Sequence, residues 1–249
     1  MTEIMKGAEP FMLDGDDRGI LLLHGFTGTT QSMRPVGEGL NDRFGFTVCG
    51  PRLKGHGTSP DDMETTSYLD WLASAEEGLQ TLLATKRQVF VAGLSMGGTL
   101  TLNLAARFPD RIAGIAPVNG AVGVFDGGMA ELVCAADAPA RIPGIGSDIK
   151  APGVEELAYK EVPVACLRQI FVLMCATRDL LPRIVAPALV FQSREDHVVP
   201  EANADAIMAS IGSTDARLLR LTDSYHVATL DNDRDLIVDR MGAFFSSLG

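Results

Sequence analysis

The 249-residue sequence has few basic side chains: 21 Lys and Arg stand against 32 Asp and Glu, which gives a formal net charge of -11. It contains no basic run and no alternation of basic with aromatic residues. Proteins that bind nucleic acid or anionic lipid through charge need such positive patches. We therefore expect no nucleic-acid partner and no charge-driven docking on membranes.

Metal, redox and nucleotide motifs are also missing. The four histidines and four scattered cysteines form neither an HExxH nor a CxxC pattern, so we expect no metal site. Neither GxGxxG nor GxxxxGK[ST] occurs, and we expect that no cofactor is needed. Scattered cysteines of this kind are typical of small buried side chains in a reducing compartment.

Targeting and membrane-spanning segments are not indicated either. The N-terminal residues MTEIMKGAEPF lack the apolar stretch of a secretory signal. Residues 88–106, QVFVAGLSMGGTLTLNLAA, carry no charge over nineteen positions, a length that could cross a bilayer as a helix. Their glycines and their Ser, Thr and Asn side chains disfavour a lipid-facing helix. We expect a cytoplasmic protein without a transmembrane segment.

This uncharged run changes its pattern in the middle. Val89–Val91 is β-branched and aromatic, as in a buried parallel strand. From Met96 onward, leucines recur at helical spacing until Pro109, which cannot continue a helix. Ser95 therefore lies at a turn between a strand and a helix.

The rest of the chain alternates apolar strands with amphipathic helices. Further strands are predicted over residues 19–25, 46–52, 112–120, 188–193 and 217–222, and helices over 32–44, 68–82, 201–211 and 235–248. Such alternation predicts an α/β fold with a mostly parallel central sheet flanked by helices.

Residues 121–186 interrupt the alternation. They contain glycine- and proline-rich turns, no convincing strand, and one apolar stripe at helical spacing, formed by Leu167, Ile170, Phe171 and Met174. We divide the chain into a first core part (1–120), a small, mainly helical cap insertion (121–186) and a second core part (187–249). The apolar stripe is expected to form a roof over the substrate.

The turn at Ser95 reads Gly93-Leu94-Ser95-Met96-Gly97 and matches G-x-S-x-G in the strand–turn–helix setting that this motif requires. A nucleophile at so sharp a turn adopts strained backbone angles, and side chains two residues away would collide with the neighbouring strand and helix. Ser95 is therefore the candidate nucleophile. The alternative is a glycine-rich turn that contains a serine by chance.

A serine nucleophile needs a histidine base and a carboxylate to orient it, in the chain order serine, acid, histidine. His197 and His226 are the histidines after Ser95. His226 follows a predicted strand in DSYHVATLD, at the carboxyl end where sites of parallel sheets are built. His197 stands directly beside Asp196, and adjacent residues seldom direct their side chains at each other. We therefore expect His226 to be the base.

Three carboxylates compete for the role of the acid: Glu195, Asp196 and Asp223. Asp196 occupies the loop after the penultimate strand, where this member of the triad belongs, and we favour it. Asp223 lies in the same loop as His226 and could simply form a turn. Glu195 is expected to point to solvent.

An oxyanion hole should complete the site. The backbone N–H of Met96, directly after the nucleophile at a helix N-terminus, is one expected donor. The backbone N–H of Phe26, in the loop HGFTG after the first strong strand, is the second. His24 in that loop and His56 in KGHG are expected to stabilise loops.

Five segments together resemble the bacterial monoacylglycerol lipases and their carboxylesterase relatives: LLLHGFTGTTQSMRPVGEGL, PRLKGHGTS, GLSMGGTLTL, EDHVVP and SYHVATLD. This family has the α/β-hydrolase fold. The resemblance implies the triad Ser95, Asp196 and His226, with Phe26 and Met96 as oxyanion donors.

The likeness extends to IGSDIKAPGVEELAY, residues 145–159, which is similar to the family's cap. It implies that Ile145 and Glu156 lie near the substrate, Glu156 at its alcohol end. The alternative for Glu156 is a solvated helix face. The preceding stretch, GVFDGGMAELVCAADAPA, departs from the family pattern and leaves the preferred acyl length open.

We therefore expect a serine hydrolase that cleaves carboxylic esters of apolar acyl chains, above all monoacylglycerols, through an acyl-enzyme. Its partner is a small-molecule ester, with transient contact between the cap and lipid surfaces. A general short-chain carboxylesterase and a non-catalytic small-molecule receptor of the same fold are the alternatives. The sequence leaves the oligomeric state open.

Overall fold

The computed structural model describes residues 3–123, 125 and 127–248. Within this part, the chain forms strands β1 (Phe11–Leu13), β2 (Arg18–Leu23), β3 (Thr47–Gly50), β4 (Gln88–Leu94), β5 (Gly114–Val118), β6 (Arg141–Pro143), β7 (Glu161–Pro163), β8 (Ala188–Ser193) and β9 (Ala216–Leu221). Seven of them form one sheet in the order β1-β3-β2-β4-β5-β8-β9. All neighbours in this sheet are parallel except β1, which is antiparallel to β3.

Helices cover both faces of the sheet. They are α1 (Arg34–Phe44), α2 (Pro60–Glu64), α3 (Tyr68–Leu83), α4 (Met96–Arg107), α5 (Gly127–Cys134), α6 (Val164–Leu180), α7 (Ala202–Ser210) and α8 (Arg234–Ser246), with short 3-10 helices at Thr30–Ser32 and Leu181–Arg183. The predicted fold class, a mostly parallel sheet flanked by helices, is confirmed.

The core consists of two layers because successive side chains of a strand point to opposite faces. In β2, Leu21 and Leu23 pack with Trp71 of α3 and Leu100 of α4 on one side. Ile20 and Leu22 pack with side chains of α1 and α8 on the other. These β2 side chains are all buried, as expected for a central parallel strand.

Local signals set several of the helix ends. Ser67 and Asp70 form a capping box at the start of α3, where the Asp70 carboxylate accepts the Ser67 N–H at 2.9 Å. Helix α1 ends at Gly45, whose φ of 76° is a left-handed conformation that glycine adopts without strain.

Residues 121–186 lie between β5 and β8 and contain α5, α6 and an antiparallel ribbon of β6 and β7. The expectation of no strand here is wrong. Each ribbon strand has three residues and pairs with a distant segment, so neither shows a readable alternation. Helix α6 packs against α4, and Asn103 Nδ2 of α4 donates a hydrogen bond to Thr177 Oγ1 of α6 at 3.0 Å.

All four cysteines are free, but their burial differs. Cys49 and Cys166 are buried, as expected, whereas Cys134 and Cys175 are exposed. The expectation of buried cysteines is wrong for this second pair, which lies on α5 and α6 of the insertion. None of the helices that the structure describes combines the length and hydropathy of a membrane span.

Candidate active site

Ser95 lies at the tight turn where β4 ends and α4 begins. Its φ of 56° and ψ of -117° are strained for a residue with a side chain, and its N–H donates to the Val118 carbonyl of β5 at 2.9 Å. A Cβ on Gly97 would lie 2.0 Å from the Leu23 carbonyl oxygen, and one on Gly93 would lie 2.4 Å from Gly97 backbone atoms. Glycine is therefore required at both positions of the turn.

His226 and Asp196 meet beneath this turn, from the loops after β9 and β8. His226 Nδ1 lies 2.9 Å from Asp196 Oδ2, and the Asp196 side chain is fully buried. Asp196 Oδ1 also accepts the N–H groups of Val198 (2.9 Å) and Val199 (2.8 Å). These bonds fix the carboxylate and occupy Nδ1 of the imidazole, which leaves Nε2 as the nitrogen that can accept a proton.

The competing residues lie elsewhere. His197 is 60% exposed and binds Asp148 through Nδ1 at 2.7 Å. Asp223 and Glu195 are 62% and 55% exposed, and each lies 3.5 Å from the Lys150 ammonium. None of the three lines the cavity that contains Ser95 and His226.

The charge of His226 depends on opposing effects. Burial alone would lower its pKa, but the negative charge of Asp196, the hydrogen bond to it, and the charges of Glu156 and Asp148 together raise the pKa. An imidazole surrounded by carboxylates in this way can accept a proton and stabilise the resulting charge.

The expected oxyanion donors flank the serine. Gly25 lies close to Ser95, since a Cβ added to Gly25 would be 3.4 Å from Ser95 Cβ. The next residue, Phe26, is therefore also near the serine. Phe26 and Met96 both line the cavity, and neither backbone N–H has a backbone partner within the described residues. Donors at these two positions would stabilise the charge that develops on a substrate carbonyl, which remains a prediction.

His24 and His56 lie behind the Phe26 loop and are buried. His24 Nε2 accepts the Leu53 N–H at 3.1 Å and its Nδ1 faces the Gly25 carbonyl at 2.9 Å. Burial lowers the pKa of His24 to about 4 and that of His56 well below its ordinary value. Both rings are thus neutral; His24 joins its loop to Leu53, and His56 packs edge-on against His24 with the ring centroids 5.1 Å apart.

One cavity joins these groups. It contains about 840 Å³ of space between atoms, a volume that includes its open mouth. Its walls are mainly apolar and include the four stripe residues, together with Ile145 at 62% exposure. Of the residues expected at the site, only Asp196 does not line the cavity, because it lies behind His226.

Glu156 places a carboxyl group in this apolar cavity. The residue is partly exposed, but its carboxyl is desolvated, which raises its pKa to about 7 despite the nearby His226 and a hydrogen bond with Ser32. A Cβ on Gly28 would lie 2.6 Å from Glu156 Oε1, so glycine makes room for it. Glu156 faces the oxyanion loop and is not on a solvated helix face.

The sequence did not point to several residues at the site. Asp148 and Val199 line the cavity, and Asn119, at the end of β5, donates from Nδ2 to the His226 carbonyl at 2.7 Å. Asn119 has a φ of 47°, but no motif marks it. Among the described residues, no group of three His, Cys, Asp or Glu side chains could hold a metal ion.

Comparison with known proteins gives the family. Residues 20–144 match the model of the alpha/beta hydrolase fold. The chain is 51% identical to a thermostable monoacylglycerol lipase of Bacillus sp. (strain H-257), over 98% of this chain and 96% of the relative. The chain belongs to the α/β-hydrolase family. The resemblance seen in the sequence is therefore confirmed.

Other members of the family agree. A carboxylesterase of Bacillus subtilis (strain 168) is 30% identical over 96% of this chain and 97% of its own. A solved structure from work on two metagenome-derived lipolytic enzymes, LipS and LipT, is 48% identical, with a TM-score of 0.95 over 98% of this chain and 100% of that one. Among α/β-hydrolases, these similar proteins are enzymes of lipid and ester cleavage.

Proposed function

We propose that this protein is a serine ester hydrolase that cleaves monoacylglycerols to glycerol and fatty acid. The observation that carries the proposal is a strained Ser95 at an apolar cavity with the His226–Asp196 pair beside it. The 51% identity to a monoacylglycerol lipase supports the substrate class.

Ser95 is the nucleophile in this proposal. Its Oγ attacks the ester carbonyl carbon while His226 Nε2 takes the hydroxyl proton, and Asp196 remains ionised beside Nδ1. The C–O bond to glycerol then breaks, and the glycerol oxygen takes the proton from His226. Water attacks the acyl-enzyme in the same way and releases the fatty acid. The N–H groups of Phe26 and Met96 stabilise the oxyanion in both steps.

Residues 121–186 act as a cap that selects the acyl chain. Leu167, Ile170, Phe171 and Met174 line the cavity above the serine and can bury a chain at about 0.8 kcal/mol per methylene. The covered site has room for one chain, so di- and triacylglycerols should be poor substrates. The division into core parts 1–120 and 187–249 around this cap is part of the proposal.

Glu156 contacts the alcohol end of the substrate in this proposal. A carboxyl with a pKa of about 7 can accept a hydrogen bond from a glycerol hydroxyl when ionised, or donate one to it when protonated, near neutral pH. We expect Glu156→Leu, which can neither accept nor donate a hydrogen bond, to raise KM for a monoacylglycerol while leaving KM for the methyl ester of the same fatty acid within about threefold, because a methyl ester has no hydroxyls to bind.

A general carboxylesterase is the second candidate, favoured by the 30% identity to the Bacillus subtilis carboxylesterase. A substrate panel from acetyl esters to monoolein and triolein, all dispersed in the same detergent, separates the two. We expect kcat/KM to rise with chain length and monoolein to be cleaved much faster than triolein. Equal rates for monoolein and triolein contradict the cap, and a maximum at acetate favours the carboxylesterase.

Location and surface contacts complete the proposal. Four free cysteines fit a cytoplasmic protein, which cell fractionation can test. The exposed Ile145 at the cavity mouth is suited to transient contact with a lipid surface. We expect Ile145→Ser to weaken co-sedimentation with phosphatidylcholine vesicles, measured against Leu236→Ser, a change of an exposed side chain on α8.

A further inference from the structure

Residues 148–151, which we call the strap, lie in the insertion and bind the loop that carries His226. Asp148 Oδ2 accepts the His226 N–H at 3.1 Å, and the Asp148 carbonyl accepts the Val227 N–H at 3.1 Å. In the opposite direction, Asp231 accepts the Lys150 N–H at 2.7 Å. The strap and the loop that carries His226 are therefore joined by hydrogen bonds in which each segment supplies both donors and acceptors.

The same Asp148 carboxylate contacts the loop of the acid. Oδ2 accepts the His197 N–H at 3.3 Å, and Oδ1 lies 2.7 Å from His197 Nδ1. His197 directly follows Asp196 in the chain. One side chain, 14% exposed, thus binds the backbone of both loops that form the acid–base pair.

His226 is fixed at three points. Its ring binds Asp196, its carbonyl accepts from Asn119 Nδ2 at 2.7 Å, and its N–H donates to Asp148. Asn119 and Asp196 follow strands of the central sheet, whereas Asp148 comes from the insertion. Of these three contacts, only the one to Asp148 depends on where the insertion sits.

We propose that Asp148 is a positioning residue that orients His226 from the insertion, so that the placement of the insertion and the activity of the base are coupled. This inference rests on the proposed role of His226 as the base. Asp148 acts through the His226 backbone and does not touch the reacting atoms. Charge-assisted hydrogen bonds to backbone N–H groups are among the stronger ones, so this contact can fix the loop.

Charge adds a second, separable effect. The ionisable groups that face His226 are Asp196 from the loop after β8, and Glu156 and Asp148 from the insertion. Asp148 itself faces His197, whose pKa its carboxylate raises. Removing the charge of Asp148 should therefore lower the pH at which His226 becomes protonated, whether or not the hydrogen bond is kept.

The experiment compares Asp148→Ala and Asp148→Asn with Asp205→Ala, a control on α7, and with His226→Ala. It measures kcat and KM for a monoacylglycerol across the pH range in which histidine titrates. We expect Asp148→Ala to lower kcat about 10- to 100-fold with KM changed less than about threefold. Asp148→Asn keeps an oxygen that can accept the His226 N–H and should recover most of kcat.

Both Asp148 variants should move the acid limb of kcat/KM to lower pH, which a merely structural defect would not do. Asp205→Ala, which removes a 64% exposed carboxylate on α7, should stay within about twofold of the parent in kcat. Should a folded Asp148→Ala protein keep the parent kcat and acid limb while His226→Ala is inactive, the inference is wrong and the proposed function stands.

Activity in His226→Ala would instead overturn the proposed function. If Asp148→Ala does not fold, the pH dependence of kcat/KM in Asp148→Asn tests the inference instead. An acid limb displaced to lower pH supports the inference, and an unmoved one contradicts it. Thermal melting of each variant separates loss of folding from loss of positioning.

Discussion

The floor and the roof of the cavity are built in different ways. The floor consists of Ser95, His226 and the N–H groups of Phe26 and Met96, and its geometry is set by a tight backbone turn at Ser95 and by hydrogen bonds around His226. The roof consists of the stripe residues of α6, and its geometry is set by apolar side chains in contact with one another. The floor belongs to loops of the sheet, the roof to the insertion.

This difference indicates which changes each part tolerates. A Cβ at Gly97 would overlap backbone atoms that cannot rotate away, whereas apolar side chains can repack when volume is roughly conserved. We expect changes in the floor to remove activity or folding, and changes in the roof to alter the preferred substrate. Five experiments test this contrast.

Loss of the nucleophile should have the largest effect. We expect Ser95→Ala to lower kcat about a million-fold, by analogy with other triads, and to leave folding intact. Activity and thermal melting of the purified variant are the measurements. A folded variant that keeps more than about 1% of activity would refute the mechanism, because triad serines have no substitute.

The acid and base come next. His226→Ala and Asp196→Asn should each lower kcat by about a thousand-fold or more, the acid less than the base. His197→Ala and Asp223→Asn are the matched controls and should have mild effects, because both side chains are more than half exposed. If Asp223→Asn abolished activity, the assignment of the acid to Asp196, in the loop after β8, would be wrong.

Backbone crowding in the floor should limit folding. Gly97→Ala would place a Cβ 2.0 Å from the Leu23 carbonyl oxygen. We therefore expect the free energy of unfolding to fall by about 3 kcal/mol or more. Gly120→Ala is the control, since its Cβ would make ordinary contacts at 3.4 Å or more. Urea unfolding of both variants tests the difference, and equal midpoints would contradict it.

The buried His24, in the loop beside the floor, should make the stability of the fold sensitive to acid. The pKa of His24 is lowered from 6.5 to about 4, so the unfolded chain takes up a proton before the folded one does. Stability is full above pH 6.5 and falls by roughly 3 kcal/mol as the pH drops to about 4.

Urea unfolding at neutral and acid pH measures this loss. His24→Gln, which can still accept the Leu53 N–H, should weaken the decline of stability with acid. His197→Ala, at an exposed position, should leave most of the decline in place. The same acid slope in His24→Gln and the parent would show that other groups are responsible.

The roof should give the smallest and most selective effect. Met174→Ala removes a buried side chain from the cavity wall, so we expect kcat/KM for long-chain monoacylglycerols to fall about tenfold. Hydrolysis of an acetyl ester should change less than about threefold, since a short chain does not reach this wall. An equal loss on both substrates would mean that the roof also shapes the floor.

The floor could be predicted from the sequence better than the roof. The sequence predicts strand β8 with its observed ends. It also predicts the turn at Ser95 between β4 and α4, because a G-x-S-x-G motif between a β-branched run and a helical pattern is a local signal. For other elements the predicted ends differ from the observed ones by a few residues. Strand β5, for example, is predicted over 112–120 and lies at Gly114–Val118.

The missed features depend on distant contacts. Strand β1 has three residues and exists because it pairs with β3, and the ribbon of β6 and β7 is equally short. Asp148 and Asn119 bind backbone groups of loops far along the chain, which requires no particular residue type at the other end. Periodicity and motifs cannot reveal such contacts.

The chain order of the site has a consequence for protein synthesis. Both proposed oxyanion donors and the proposed nucleophile precede β5, whereas the proposed acid and base follow β8, and the two parts meet where β5 pairs with β8. Domains generally fold as units during translation, so a sheet whose strands are still missing is not yet complete. A nascent chain that ends before residue 187 carries the serine without its base, so lipid cleavage cannot begin until the last strands have emerged from the ribosome and joined the sheet.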